Sequence, residues 1–145
     1  MGAGIPERAA KIFNILGRHV IGELYECDSA RLESLEEIAD NVRVAAVKAG
    51  ATIVGDFVNK YDHGAGISYI LVVKESHISV HTWPEHGYAS VDVYTCGEAD
   101  PWKVFNEIVH TLNPKMVSAV EIRRGTMGAF IPQSIVARER PKLKT

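Results

Sequence analysis

Two neighbouring stretches of this chain, residues 77–83 and 88–95, alternate in character with period two, and only four residues join them. In the first, Ile78, Val80 and Thr82 oppose His77, Ser79, His81 and Trp83; in the second, Ala89, Val91 and Val93 oppose Tyr88, Ser90, Asp92 and Tyr94. Successive side chains of a strand point to opposite faces, so both stretches read as half-buried strands, with Pro84 to Gly87 as their connection. That commits the chain to a sheet with one apolar face. The other face carries imidazoles and a tryptophan, which are not ordinary solvent-facing residues. They point to a site or an interface.

The rest of the pattern completes a two-layer arrangement. Residues 18–26 read as a strand. Asp28 or Ser29 then caps one long helix to about Ala49, with Leu32, Leu35, Ile38, Val42, Ala45 and Ala49 forming its apolar stripe and Gly50 closing it. Strands at 51–58 and 67–74 flank a turn marked by Asp62, His63, Gly64 and Gly66. Asp100-Pro101 opens a second helix carrying Val104, Phe105, Ile108 and Leu112, which Pro114 ends before a strand over about 116–123. Residues 7–16, after Pro6, predict a short additional helix. The order β-α-β-β-β-β-α-β gives an α/β (α+β) fold: a two-layer sandwich, mostly antiparallel, with two main helices on one face of the sheet.

At 145 residues the chain is a single domain over 1–145. A domain of this size buries roughly 68–70% of its unfolded surface and folds without metal or disulfide staples. Eighteen acidic against sixteen basic residues leave a net charge of −2 and no electrostatic case for nucleic acid. The basic end, Arg138 to Thr145, reads as a solvated tail. No run approaches the ~18 apolar residues of a membrane span. Residues Met1 to Arg8 lack the pattern of a secretory signal, so a cytoplasmic location is the expectation. Cys27 and Cys96 form no CxxC pair and are expected to be free thiols.

Residues 75–85, Glu-Ser-His-Ile-Ser-Val-His-Thr-Trp-Pro-Glu, concentrate hydroxyls, imidazoles and carboxylates, and Cys96-Gly97 follows one strand later. A serine, a histidine and a cysteine can thus meet on adjacent strands. One reading is a hydrolase with Cys96 or Ser76 as nucleophile and a histidine as base. No G-x-S-x-G elbow surrounds the serines, and no helix starts immediately after Cys96. A second is a metal site from His77, His81 and a carboxylate, but residues four apart on a strand stand about 13 Å apart. A third is ordinary packing. The residue types alone leave all three open.

The string also resembles a known family. Residues 75–85, with Gly87-Tyr88-Ala89 and Asp92 to Glu98, are similar to the core of the short prokaryotic and archaeal S-adenosylmethionine decarboxylase proenzymes. The likeness extends to Leu16 to His19, Glu23 to Asp28, Gly50 to Val54 and Ile122 to Gly125. It implies a chain that cuts itself between Glu75 and Ser76 into fragments 1–75 and 76–145, Ser76 becoming a covalent, self-generated pyruvoyl group. It implies His81 as the proton acceptor in processing, Ser68 as its support, and Cys96 as the proton donor in catalysis. Cys27 has a family match but reads as structural.

The further implications are a substrate amine held by the pyruvoyl carbonyl as a Schiff base, loss of carbon dioxide, and a decarboxylated product used in spermidine and polyamine synthesis. Two processed protomers are expected to pair, with a small-molecule substrate and neither metal nor diffusible cofactor. Tyr61, Asp62, Trp83 and Glu85 are candidate substrate contacts, Tyr61 as a platform for a purine. The loop Tyr61 to Tyr69 departs from the family pattern, with no proline, extra residues and Tyr69 where glycine is usual. A sister group, the crenarchaeal pyruvoyl-dependent arginine decarboxylases, is glycine-rich here. Arginine, yielding agmatine, is therefore the alternative substrate, with Asp62 suited to a guanidinium. An inactive binding or regulatory paralogue is the second alternative.

Overall fold

In the computed structural model, residues 14–127 and 135–139 are described. Seven strands form one sheet: β1 (Asn14–Tyr25), β2 (Ile53–Lys60), β3 (Ile67–Val73), β4 (Ser76–Trp83), β5 (Tyr88–Cys96), β6 (Met116–Met127) and β7 (Ile135–Glu139), in the order β2-β3-β4-β5-β1-β6-β7. Every neighbouring pair is antiparallel. The helices are α1 (Ser29–Glu33), α2 (Leu35–Lys48) and α3 (Pro101–Leu112), and a 3₁₀ turn spans Pro84–His86. The helices pack on one face, as the two-layer reading expects.

That face is the core. Ile78, Val80, Val91, Val93, Val20, Leu24 and Leu71 are fully buried under Leu32, Ile38, Val42, Phe105, Ile108 and Leu112. Gly22 lets α3 approach, since a Cβ there would lie 2.1 Å from the Phe105 ring. Asp28 and Asp100 cap their helices by accepting the N–H groups of Ala30 and Trp102, both at 3.0 Å.

Three expectations need correction. The single helix over 28–49 is two, parted at Ser34 (φ −85, ψ 85). The cause is Thr82, whose buried hydroxyl donates to the Leu32 carbonyl at 2.9 Å and accepts the Ile67 N–H at 3.0 Å. A carbonyl that an unbroken helix would hold for itself is taken by the sheet. The first strand begins at Asn14, so residues 14–16 of the expected 7–16 helix are extended; the remainder lies outside the described residues. The basic end is not all tail, because Arg138 and Glu139 pair with Ala119 and Ser118 as part of β7. Among the described residues there are thus three helices and seven strands, where two main helices and six strands were expected. Among the described residues no helix is long and apolar enough to cross a membrane.

Candidate active site

Strands β3 and β4 are joined by two residues, Lys74 and Glu75, directly after the last cross-strand pair, Val73 with Ser76. Thr52 brackets this turn. Its N–H donates to Glu75 Oε2 at 3.0 Å, and its carbonyl accepts the Lys74 N–H at 2.9 Å. The Glu75 main-chain carbonyl accepts the N–H of Cys96 at 2.9 Å. Ser76 follows with φ +150, a region L-residues avoid at a cost of roughly 1–3 kcal/mol. The bond between Glu75 and Ser76 therefore combines a polarised carbonyl, an adjacent hydroxyl residue and a strained backbone.

Cys96 ends β5 half-buried, on the face opposite the helices together with Tyr94 and Asp92. Gly17 is its partner on β1, and the Tyr94 ring fills the space a Cβ there would need, 2.6 Å away. The Arg124 guanidinium lies over that ring, 4.4 Å from its centroid. Glu75, Cys96, Gly97 and Glu98 line a cleft of about 490 Å³ with the end of α2. Cys27, by contrast, is buried, and burial pushes its thiol up to about 12, which suits a structural role.

A second cluster lies towards the other end of β4. Ser68 and His81 are a cross-strand pair, with Ser68 Oγ 2.8 Å from His81 Nδ1. Tyr61 Oη is 3.3 Å from the same serine oxygen. Trp83 stands 6.5 Å from the His81 ring and 5.2 Å from Tyr88, which stacks on Tyr25 at 5.4 Å. Asp62 is exposed in the loop after Tyr61, and Glu85 is exposed on the 3₁₀ turn.

Between the clusters, His19 Nε2 is 2.9 Å from Asp92 Oδ1, and Ser79 donates to Oδ2 at 3.4 Å. The hydrogen bond with His19 outweighs burial and holds the Asp92 carboxyl below its ordinary range. Burial, then the neighbouring His19, pushes His77 below its ordinary value, so it stays neutral more readily. Among the described residues, no three His, Cys, Asp or Glu side chains are grouped to hold a metal ion.

The expected meeting of serine, histidine and cysteine is only partly present within one chain. Glu75, Ser76 and Cys96 come together, and so do Ser68, His81 and Tyr61. Ser76 and His81, however, are five residues apart on one strand. That is about 16 Å at ~3.3 Å per residue, out of reach of each other within one chain. Thr52 and the His19–Asp92 pair were not singled out from sequence. Thr52 acts through its backbone, which leaves no residue-type signal. His19 and Asp92 become partners only once β1 is known to lie beside β5.

A family model described as S-adenosylmethionine decarboxylase matches residues 18–125. An S-adenosylmethionine decarboxylase proenzyme from Thermotoga maritima is 44% identical over 111 residues, which cover 76% of this chain and 85% of that protein. One from Thermoanaerobacter pseudethanolicus is 44% identical over 113 residues, covering 77% and 90%. The crystal structure of the adenosylmethionine decarboxylase from Aquifex aeolicus is similar with a TM-score of 0.73 and 32% identity, over 83% of this chain and 99% of that one.

Proposed function

The chain belongs to the S-adenosylmethionine decarboxylase family, and from that premise we propose that it is a self-processing, pyruvoyl-dependent enzyme that decarboxylates S-adenosyl-L-methionine. The observation that carries the processing step is the Glu75–Ser76 bond, with its carbonyl on the Cys96 N–H and its serine at φ +150. In this reading the Ser76 hydroxyl oxygen bonds to the Glu75 carbonyl carbon. The Cys96 N–H supports the oxyanion, and the C–N bond breaks to leave an ester and a free amine. A base removes the Ser76 α-proton and the Glu75 carboxylate departs. The remaining enamine takes up water and releases ammonia, leaving the ketone. His81, held by Ser68, is the proposed base, an imidazole being suited to proton transfer near neutral pH.

Residue 76 fits a pyruvoyl group, because pairing with Thr95 in the ladder would hold the new chain end in place. The group supplies an electron-withdrawing carbonyl that binds the substrate amine and accepts the electrons left when carbon dioxide departs. The Cys96 thiol returns a proton to the substrate Cα. Trp83 beside His81 and Tyr61 beside Ser68 offer aromatic surface to a purine, and Asp62 and Glu85 lie in the adjoining loops. The product, decarboxylated S-adenosylmethionine, serves aminopropyl transfer in spermidine and polyamine synthesis, and this work on a soluble metabolite belongs to the cytoplasm. The names of the relatives support S-adenosylmethionine over arginine.

The separation of Ser76 from His81 supports a homodimer in which the two open sheet faces meet. The Ser68–His81 cluster of one copy then serves the Glu75–Ser76 bond of the other. Intact mass tests the processing: fragments of 75 and 145 − 75 = 70 residues are expected, the second trapped by an amine and borohydride. Release of carbon dioxide from carboxyl-labelled S-adenosylmethionine, and not from labelled arginine, tests the substrate. A chain that stays whole after purification and warming overturns the reading.

A further inference from the structure

We propose that the two-residue Lys74-Glu75 turn is the positioning device of self-cleavage: it lacks the residues such a turn calls for, passes its backbone mismatch to Ser76, and so loads the bond that breaks. This rests on the processing reading above. Two-residue hairpin loops match the right-handed twist of their strands when one or both loop residues take positive φ, which favours Asn-Gly or Gly-containing loops. Here the loop is Lys-Glu. Among the described non-glycine residues, positive φ occurs at Glu26, Ser76 and Asn113, so neither loop residue adopts it and the residue just after them does.

The neighbouring bonds keep the mismatch from relaxing. Thr52 holds both loop residues, the Lys74 N–H through its carbonyl and the Glu75 carboxylate through its N–H. Cys96 holds the Glu75 carbonyl, and pairing with Val73 and Thr95 holds Ser76. With both sides fixed, the odd torsion stays at the scissile residue. The Glu75 side chain is thus a positioning group, acting on the bond through Thr52.

The test replaces the loop by one suited to the twist, Lys74→Asn with Glu75→Gly. In a Ser76→Ala background, where no cleavage occurs, this change is expected to raise the thermal midpoint by about 3–6 °C as strain is relieved. With Ser76 intact, it is expected to slow cleavage about tenfold or more. Glycine at 75 opens the carbonyl to attack, so slowing cannot come from crowding. Glu75→Gln keeps an acceptor for the Thr52 N–H and is expected to cleave within about twofold of the unsubstituted rate, whereas Glu75→Ala is expected to be at least about fivefold slower. An unchanged midpoint, or cleavage of the Asn-Gly chain at the unsubstituted rate, overturns the inference while leaving the decarboxylase reading intact. An unsubstituted chain that never cleaves overturns both.

Discussion

At Cys96 the backbone N–H lies on the Glu75 carbonyl while the thiol is half-buried on the open face. In the proposed scheme the two groups serve different reactions. Cys96→Ala keeps the N–H, so the chain is expected to cut itself within about threefold of the normal rate. Decarboxylation is expected to fall about 100-fold or more, the usual scale for losing a positioned proton donor. A gel follows the first and labelled carbon dioxide the second; equal loss of both would overturn the division. The thiol was legible in the sequence because side-chain chemistry is written in residue type. The N–H was not, because its partner depends on the register of β4 against β5, and a one-residue slip would have sent it elsewhere. Thr52 was hidden for the same reason.

Helix α3 is tied to β1 and β6 by one buried carboxylate. Glu121 accepts from Arg18 Nε at 2.9 Å, Arg18 Nη2 at 2.7 Å, Trp102 Nε1 at 2.8 Å and Arg123 Nε at 3.4 Å. Burial acts to raise its pKa, but the hydrogen bond and charge of Arg18, with help from Trp102 and Arg123, win and hold it below the ordinary glutamate range. A depressed folded pKa stabilises fully above the unfolded value, and the contribution disappears as pH falls through the folded one. Glu121→Gln is therefore expected to cost about 2 kcal/mol at pH 7, discounted because Arg18 is 39% exposed. It is also expected to flatten the loss of stability below pH 4.5, read by urea unfolding across that range; an unchanged slope would count against the network. A lone acid among the period-two residues Val117, Ala119 and Glu121 was a visible signal, but its partners depend on pairing with a strand about a hundred residues earlier. The strands around β4 were legible from local alternation. The break at Ser34 was not, because it comes from Thr82, forty-eight residues further on, taking the Leu32 carbonyl.

Among the described residues, the sheet is covered by helices on one face only. Its open side carries His19, His77, His81, Asp92 and Tyr94 in place of a solvated face. If two chains share their sites there, a chain with Ser76→Ala and a chain with His81→Ala complement each other. Mixed dimers are expected to cleave the His81→Ala chain, the intact histidine coming from its companion. Each variant alone stays whole, and failure of the mixture to cleave would overturn site sharing. The five-residue interval along β4 then has a kinetic meaning. On that arrangement a lone chain would hold both halves of the apparatus without bringing them together, so maturation should be second order in newly made protein. Dilution below the association threshold should preserve the inactive precursor, and the amount of working enzyme should rise with the square of a small supply of chain.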